Sequence, residues 1–197
     1  MLIRTITLSL ILTACVQQED SVSIPPMASE SAIAQSNEGS IKLYTFDCGT
    51  IEVSDFDVFS SSGDYAGQAG ILASTCYLIR HPLGDLIWDL GLPLATVGAA
   101  PQTNGVFTLS QERSLADQLA VLEMTPADIE FIAISHSHFD HTGQVALFPD
   151  AQWLVNDNEF EHMFSTDESK NQNLAFADLD AITYSGNHDV FADGSVT

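Results

Sequence analysis

Basic side chains are the scarcest chemistry in this sequence: 5 Lys and Arg stand against 27 Asp and Glu in 197 residues, a formal net charge of −22. A surface so poor in cations has nothing with which to neutralise a phosphate backbone, which argues against a nucleic-acid partner. No apolar run reaches the ~18–20 residues that a membrane-spanning helix needs. With 3 Cys the chain is no disulfide scaffold. There is no internal repeat, no phosphate loop, no Gly-x-Ser-x-Gly elbow and no Ser-x-x-Lys motif, so nucleotide enzymes and serine-nucleophile hydrolases lack support. What is present, 45% apolar against 16% charged residues, suits an acidic globular protein with a real core.

Residues 1–14 read as an export signal, with Arg4 as the positive charge and Ile6 to Leu12 as a short apolar stretch. Leu12-Thr13-Ala14-Cys15 resembles a bacterial lipobox, which implies cleavage before Cys15 and a lipid carried by that residue. The apolar stretch is too short to span a bilayer as a permanent anchor. Val16 stands where an Asp would resemble an inner-membrane retention signal, which points to the outer membrane. The expected product is a periplasm-facing lipoprotein of the bacterial cell envelope, touching the membrane only through its lipid. Residues 15–40, rich in Ser, Glu, Ala and Gln and holding Pro25-Pro26, read as a flexible tether, and 41–197 as the domain.

Within the domain, residues 42–46 are predicted to form a strand, and 75–80 with 86–88 a hairpin closed by His81-Pro82-Leu83-Gly84-Asp85. The apolar stripe of Leu115, Ala116, Leu119, Ala120 and Leu122 predicts a helix over 110–124, capped by Thr108 or Ser110 and stopped at Thr125-Pro126, where a short second turn can open. Residues 130–135 and 152–155 read as further strands and 157–164 as a short helix. This alternation indicates an α/β or layered α+β fold. Near the end, 189–191 look like a strand, and Ala192-Asp193-Gly194-Ser195 like a hairpin turn from which Val196 and Thr197 return. A domain seldom stops two residues into a strand, so the sequence is expected to be truncated. Export would permit a Cys48–Cys76 bridge, but two buried free thiols suit the flanking β-like runs equally; both readings stand.

The informative segment is His136-Ser137-His138-Phe139-Asp140-His141, followed by Thr142-Gly143. Three of the 6 histidines fall in this stretch; in a random chain of this composition the pattern would arise on the order of once in two thousand. It follows a compact apolar strand, and so belongs in a loop at that strand's carboxyl end, where open α/β sheets place their sites. Imidazoles two apart on extended backbone project to one side and can share an ion, while Asp140 and His141 turn toward a second. Imidazole nitrogen and carboxylate oxygen suit Zn²⁺ without excluding Fe²⁺ or Mn²⁺. A surface His cluster without an ion is the bland alternative. His162, on the short helix, His188, in a turn-rich stretch, and His81, in the hairpin turn, read as packing or solvated residues.

These residues, with Trp88-Asp89-Leu90-Gly91 upstream, resemble the metallo-β-lactamase-fold hydrolases. Asp47-Cys48-Gly49-Thr50, Cys76-Tyr77-Leu78-Ile79-Arg80-His81 and the segment 189–196 resemble, within them, the N-acyl-homoserine lactonase group. The resemblance implies the N-terminal half of an αββα sandwich and a site for two zinc ions. His136 and His138 would hold one, Asp140 and His141 the other, and Asp89 would support the site. It implies a hydroxide between the metals that attacks a lactone carbonyl, with Asp140 handling a proton as the ring alkoxide leaves. Relatives carry a further His in a Pro-Gly-His segment, a bridging Asp and a last His downstream. None stands within 41–197, so the 197 residues alone are expected to be inactive. The expected partner is a small lactone or ester. A β-lactamase or thioesterase of the same fold, and a non-catalytic metal-binding lipoprotein, are the rival readings.

Overall fold

The computed structural model describes residues 39–197; the expected signal, Cys15 and nearly all of the tether lie outside them. Eight strands among the described residues form one mixed sheet: β1 (Lys42–Val53), β2 (Gly70–His81), β3 (Gly84–Trp88), β4 (Gln102–Asn104), β5 (Phe107–Ser110), β6 (Phe131–Ala133), β7 (Gln152–Asn156) and β8 (Ala181–Tyr184). Their order is β4-β5-β1-β2-β3-β6-β7-β8. The first five pair antiparallel, and β3, β6, β7 and β8 run parallel. Four α-helices among the described residues accompany them: α1 (Leu115–Val121), α2 (Phe139–Thr142), α3 (Asp157–Phe164) and α4 (Asp167–Gln172). No helix among the described residues is long and apolar enough to cross a membrane.

The central strands are apolar on both faces, which is why they read as runs rather than alternations. On one face Ile87, Ile132, Trp153 and Val155 join Leu115 and Leu119 of α1 and Met163 of α3 in the main core. On the other, Leu86, Ala133 and Leu154 meet Phe191. One helix layer thus covers one sheet face, the half-sandwich expected. A fully buried Leu or Ile here contributes roughly 1.5–3 kcal/mol, so an Ile132→Asp change would break the core.

The hairpin β2–β3, the strand at β7 and the helix α3 follow the sequence-based expectation, as does the short turn at Pro126–Asp128. Other elements differ. β1 continues past Phe46 because Asp47-Cys48-Gly49 is a β-bulge rather than a turn: the register slips between Asp47 and Thr50, and Gly49 sits at φ +126°. Gln118 of α1 satisfies the bulge backbone, accepting from Asp47 N–H at 2.9 Å and donating to Asp47 O at 2.8 Å. Helix α1 starts later than expected because Thr108 and Ser110 belong to β5, paired with β1; Ser114 caps it instead, in a box with Asp117. β8 and α4 add to the elements that the sequence pattern predicts. Residues 189–191 do not form a strand: one backbone bond, Val190 N–H to Val196 O at 3.0 Å, joins the two arms of the expected hairpin. Side chains hold that segment instead. Phe191 stacks on His81 at 4.0 Å, and His81 Nε2 meets Asp193 Oδ2 at 3.0 Å and Ser195 Oγ at 3.2 Å.

Cys48 and Cys76 are joined by a disulfide, Cα–Cα 5.8 Å, with both residues fully buried. The free-thiol alternative is thereby corrected: the bulge swings Cys48 toward its neighbour on β2.

Candidate metal centre

Strand β6 ends at Ala133, and the chain then leaves the sheet, so Ser135 N–H has no ladder partner. Asp89, just after β3, takes it: Oδ1 accepts that N–H at 2.7 Å, while Asp89 N–H donates to Ala133 O at 2.9 Å. Asp89 is nearly buried and held at φ +64°, a left-handed conformation unusual for Asp that turns its carboxylate back over the end of β6. Its other oxygen, Oδ2, lies 2.9 Å from His141 Nδ1. That contact holds a proton on Nδ1 and turns Nε2 toward Asp140, the side on which an ion would be bound.

The motif segment is interlocked with the loop that carries Asp89. Leu90 N–H donates to His141 O at 2.8 Å, Gly143 N–H to Gly91 O at 2.9 Å, and Gln144 N–H to Leu90 O at 3.1 Å. Gly143 is required by space, since any Cβ there would collide with the backbone of Leu92 and Pro93. Three supports had no signal in the sequence pattern. Glu159 of α3 accepts Ser137 N–H at 2.7 Å, between the first two histidines. Ser74 of β2 donates to Asp140 O at 2.8 Å. Ser135 Oγ lies 3.1 Å from both His136 Nδ1 and His141 Nδ1.

The predicted ligands come together in two pairs. His136 Nε2 is 2.9 Å from His138 Nδ1, and Asp140 Oδ2 is 3.3 Å from His141 Nε2. Two ligands on a tetrahedral ion with bonds of ~2.0–2.1 Å stand about 3.3 Å apart. The Asp140–His141 pair has that spread, while His136 and His138 are hydrogen-bonded and would open slightly to share an ion. No three such side chains converge on a single point among the described residues. His136 and His141 ring centroids are 4.2 Å apart, which sets the pairs side by side. His162 is exposed on α3, His188 stacks on Tyr184 at 4.9 Å, and His81 is occupied by the Asp193 turn.

The electrostatics fit a cation. Hydrogen bonds to Asp140 and then Asp89 raise the His141 pKa to about 9, so a proton sits where a positive ion would. Burial, joined by repulsion from His141 and His138, lowers the His136 pKa and keeps it neutral, as a ligand must be. Burial is the largest single influence on the Asp140 carboxyl and pushes it up. The bond and charge attraction of His141, with a backbone hydrogen bond and His136, together outweigh burial and leave the carboxyl below the ordinary range. A cation between these groups would replace protons already drawn there.

Residues 69–178, more than half of the chain, match the metallo-beta-lactamase superfamily. The chain belongs to it. Among curated relatives, the N-acyl homoserine lactonase AttM of Rhizobium radiobacter is 27% identical over 173 residues, covering 80% of this chain and 65% of the relative. An N-acyl homoserine lactonase of Bacillus thuringiensis is 28% identical over 100 residues, 47% of this chain and 40% of that one. The solved structure of a quorum-quenching N-acyl homoserine lactone hydrolase superposes with a TM-score of 0.63 at 24% identity, over 76% of this chain and 60% of that chain. That of AidC, a dizinc quorum-quenching lactonase, gives 0.54 at 17%, over 79% and 62%. These likenesses establish the metallo-beta-lactamase fold. The chain spans between half and two thirds of the length of the AttM relatives it matches.

Proposed function

We propose that the protein is a metal-dependent hydrolase that opens the ring of an N-acyl-homoserine lactone or a related ester. The observation that carries this is the two donor pairs, His136 with His138 and Asp140 with His141, set side by side on a loop buttressed by Asp89. Sequence likeness to curated lactonases supports the substrate class. The pairs would hold two Zn²⁺ ions. Bound there, zinc would polarise the lactone carbonyl and bring water to a reactive pKa near neutrality.

This chain's residues do the rest. Asp89 sets the tautomer of His141, Ser135 Oγ lies against the His136 and His141 rings, and Glu159 holds the backbone between His136 and His138. Asp140 is half-buried and acidic; beyond its place in the second pair, its carboxylate can take a proton and deliver it to the alkoxide as the ring opens. The Cys48–Cys76 bridge supports export to a disulfide-permitting compartment. The reading of Cys15 as the lipid anchor of a periplasm-facing, outer-membrane lipoprotein rests on the Leu12-Thr13-Ala14-Cys15 pattern alone. Proton release from N-hexanoyl-homoserine lactone, followed at constant pH on the full-length gene product, tests the activity. Chelation is expected to abolish it and Zn²⁺ to restore it; turnover indifferent to chelator would overturn it.

A further inference from the structure

We propose that the Cys48–Cys76 disulfide is a positioning strut for the ligand loop, acting on Asp89 and His141 through Gly91 and Leu92. Its consequence for metal binding rests on the reading above; its geometry does not.

Cys76 lies in the regular part of the β1–β2 ladder, opposite Phe46, whereas Cys48 lies in the bulge where that ladder slips. The two strands share ten register pairs, from Lys42 with Arg80 to Val53 with Gly70, so they need no cross-link to stay together. What the bridge fixes is the bulge, the part of β1 that pairing leaves free. The bulge is the mould for the next loop. Cys48 O accepts Leu92 N–H at 3.1 Å. Gly91, at φ +67°, is pressed so closely on Cys48 that a Cβ there would stand 2.6 Å from Cys48 Cβ and 3.2 Å from Sγ.

From Gly91 and Leu92 the path to the ligands is short. Gly91 O holds Gly143 N–H, and its neighbour Leu90 bonds through N–H to His141 and through O to Gln144. Asp89, next in the same loop, holds Ser135 and His141 through its carboxylate. Strand β2 contributes a second tie, because Ser74 bonds Asp140 O two residues before Cys76. A displaced Cys48 therefore moves both the orienting carboxylate and the backbone that presents His141. Both sulfurs are fully buried in the main core, where two separate thiols need more room than a bonded pair.

The test is amide hydrogen exchange on the metal-free full chain, oxidised and reduced. Tris(2-carboxyethyl)phosphine with water yields the phosphine oxide and two thiols, a two-electron, two-proton reduction confirmed by thiol titration. On reduction the amides of Leu90, Leu92, Gly143 and Gln144 are expected to exchange about tenfold faster, while those of Leu78, Ile87 and Ile132 keep their protection. The Cys48→Ala, Cys76→Ala double variant should show that pattern without reductant and ignore the phosphine. Equal protection in the two states would overturn the proposal. Uniform loss, including at Leu78 and Ile132 or through failure of the variant to fold, would also overturn it, by making the bridge a general staple. The readout needs no lactone, so a failed hydrolase reading would leave this result standing.

Discussion

The carboxylate of Asp89 holds the imidazole of His141 at 2.9 Å, across a gap of 52 positions in the sequence and from a backbone conformation at φ +64°. This pair joins the two halves of the motif: the turn after β3 supplies the orienting group, and the loop after β6 supplies the donor. A carboxylate on Nδ1 fixes the ring and raises the basicity of Nε2. Asp89→Asn keeps the shape but removes the charge, and zinc affinity, read by competition with a chromophoric chelator, should fall about 10–100-fold. An unchanged affinity would mean that the contact orients nothing.

The same pair makes the metal-free fold sensitive to pH. The His141 pKa is raised from its ordinary 6.5 to about 9 in the fold. A raised pKa adds stability that is complete below 6.5 and lost as pH rises through about 9. The difference in urea midpoint between the metal-free protein and His141→Ala should therefore be larger at pH 6 than at pH 9.5. The His141 proton must leave when an ion binds, so zinc uptake should release protons in this window and tighten with pH. A difference independent of pH would show that His141 is not held as a cation.

Glu159 is the support most readily removed without touching a ligand. Its Oε1 accepts Ser137 N–H at 2.7 Å. Glu159→Ala leaves that N–H without its partner, at roughly 1–3 kcal/mol if water cannot reach it, and loosens the backbone between His136 and His138. Glu159→Gln retains an accepting oxygen. Cobalt affinity followed by visible absorption should drop for the alanine variant and recover for the glutamine variant; equal values for the two would remove Glu159 from the account.

Gly143 tests the interlock of the two loops. Its Cα is packed against the backbone of Leu92 and Pro93 at ordinary φ, so the constraint is space rather than conformation. Gly143→Ala should cost about 1–3 kcal/mol or more, the range for overpacking, because backbone yields less readily than a side-chain tip. Thermal unfolding of the purified variant reads this directly, and an unshifted midpoint would refute the close packing.

Which of these features could be read from residues alone follows a physical rule. Motifs whose logic is local were legible: the His136 to His141 cluster, the hairpin at Pro82-Leu83 and the short helix α3; the Asp89 turn came only with the family resemblance. Features set by a distant partner were not. Asp47-Cys48-Gly49 has turn chemistry, and only pairing on both sides, with β2 and β5, keeps it in a bulged strand. Thr108 and Ser110 look like caps until β5 claims them. Ala181–Tyr184 is short and only half-buried, and becomes a strand because β7 offers an edge. Glu159 shows no pattern because its partner is a backbone N–H, which no sequence spacing marks. The Cys48–Cys76 pairing likewise depends on where the bulge places Cys48.

On the proposed function, His136 with His138 and Asp140 with His141 form one dinuclear centre that opens a lactone. Zinc content by elemental analysis, measured beside N-hexanoyl-homoserine lactone turnover on the same samples of full-length gene product, tests it most directly. The account predicts two zinc ions per wild-type chain, with ion content and turnover both reduced in His136→Ala/His138→Ala and in Asp140→Ala/His141→Ala. Wild-type turnover with a single ion, or turnover that survives loss of either pair, would contradict it.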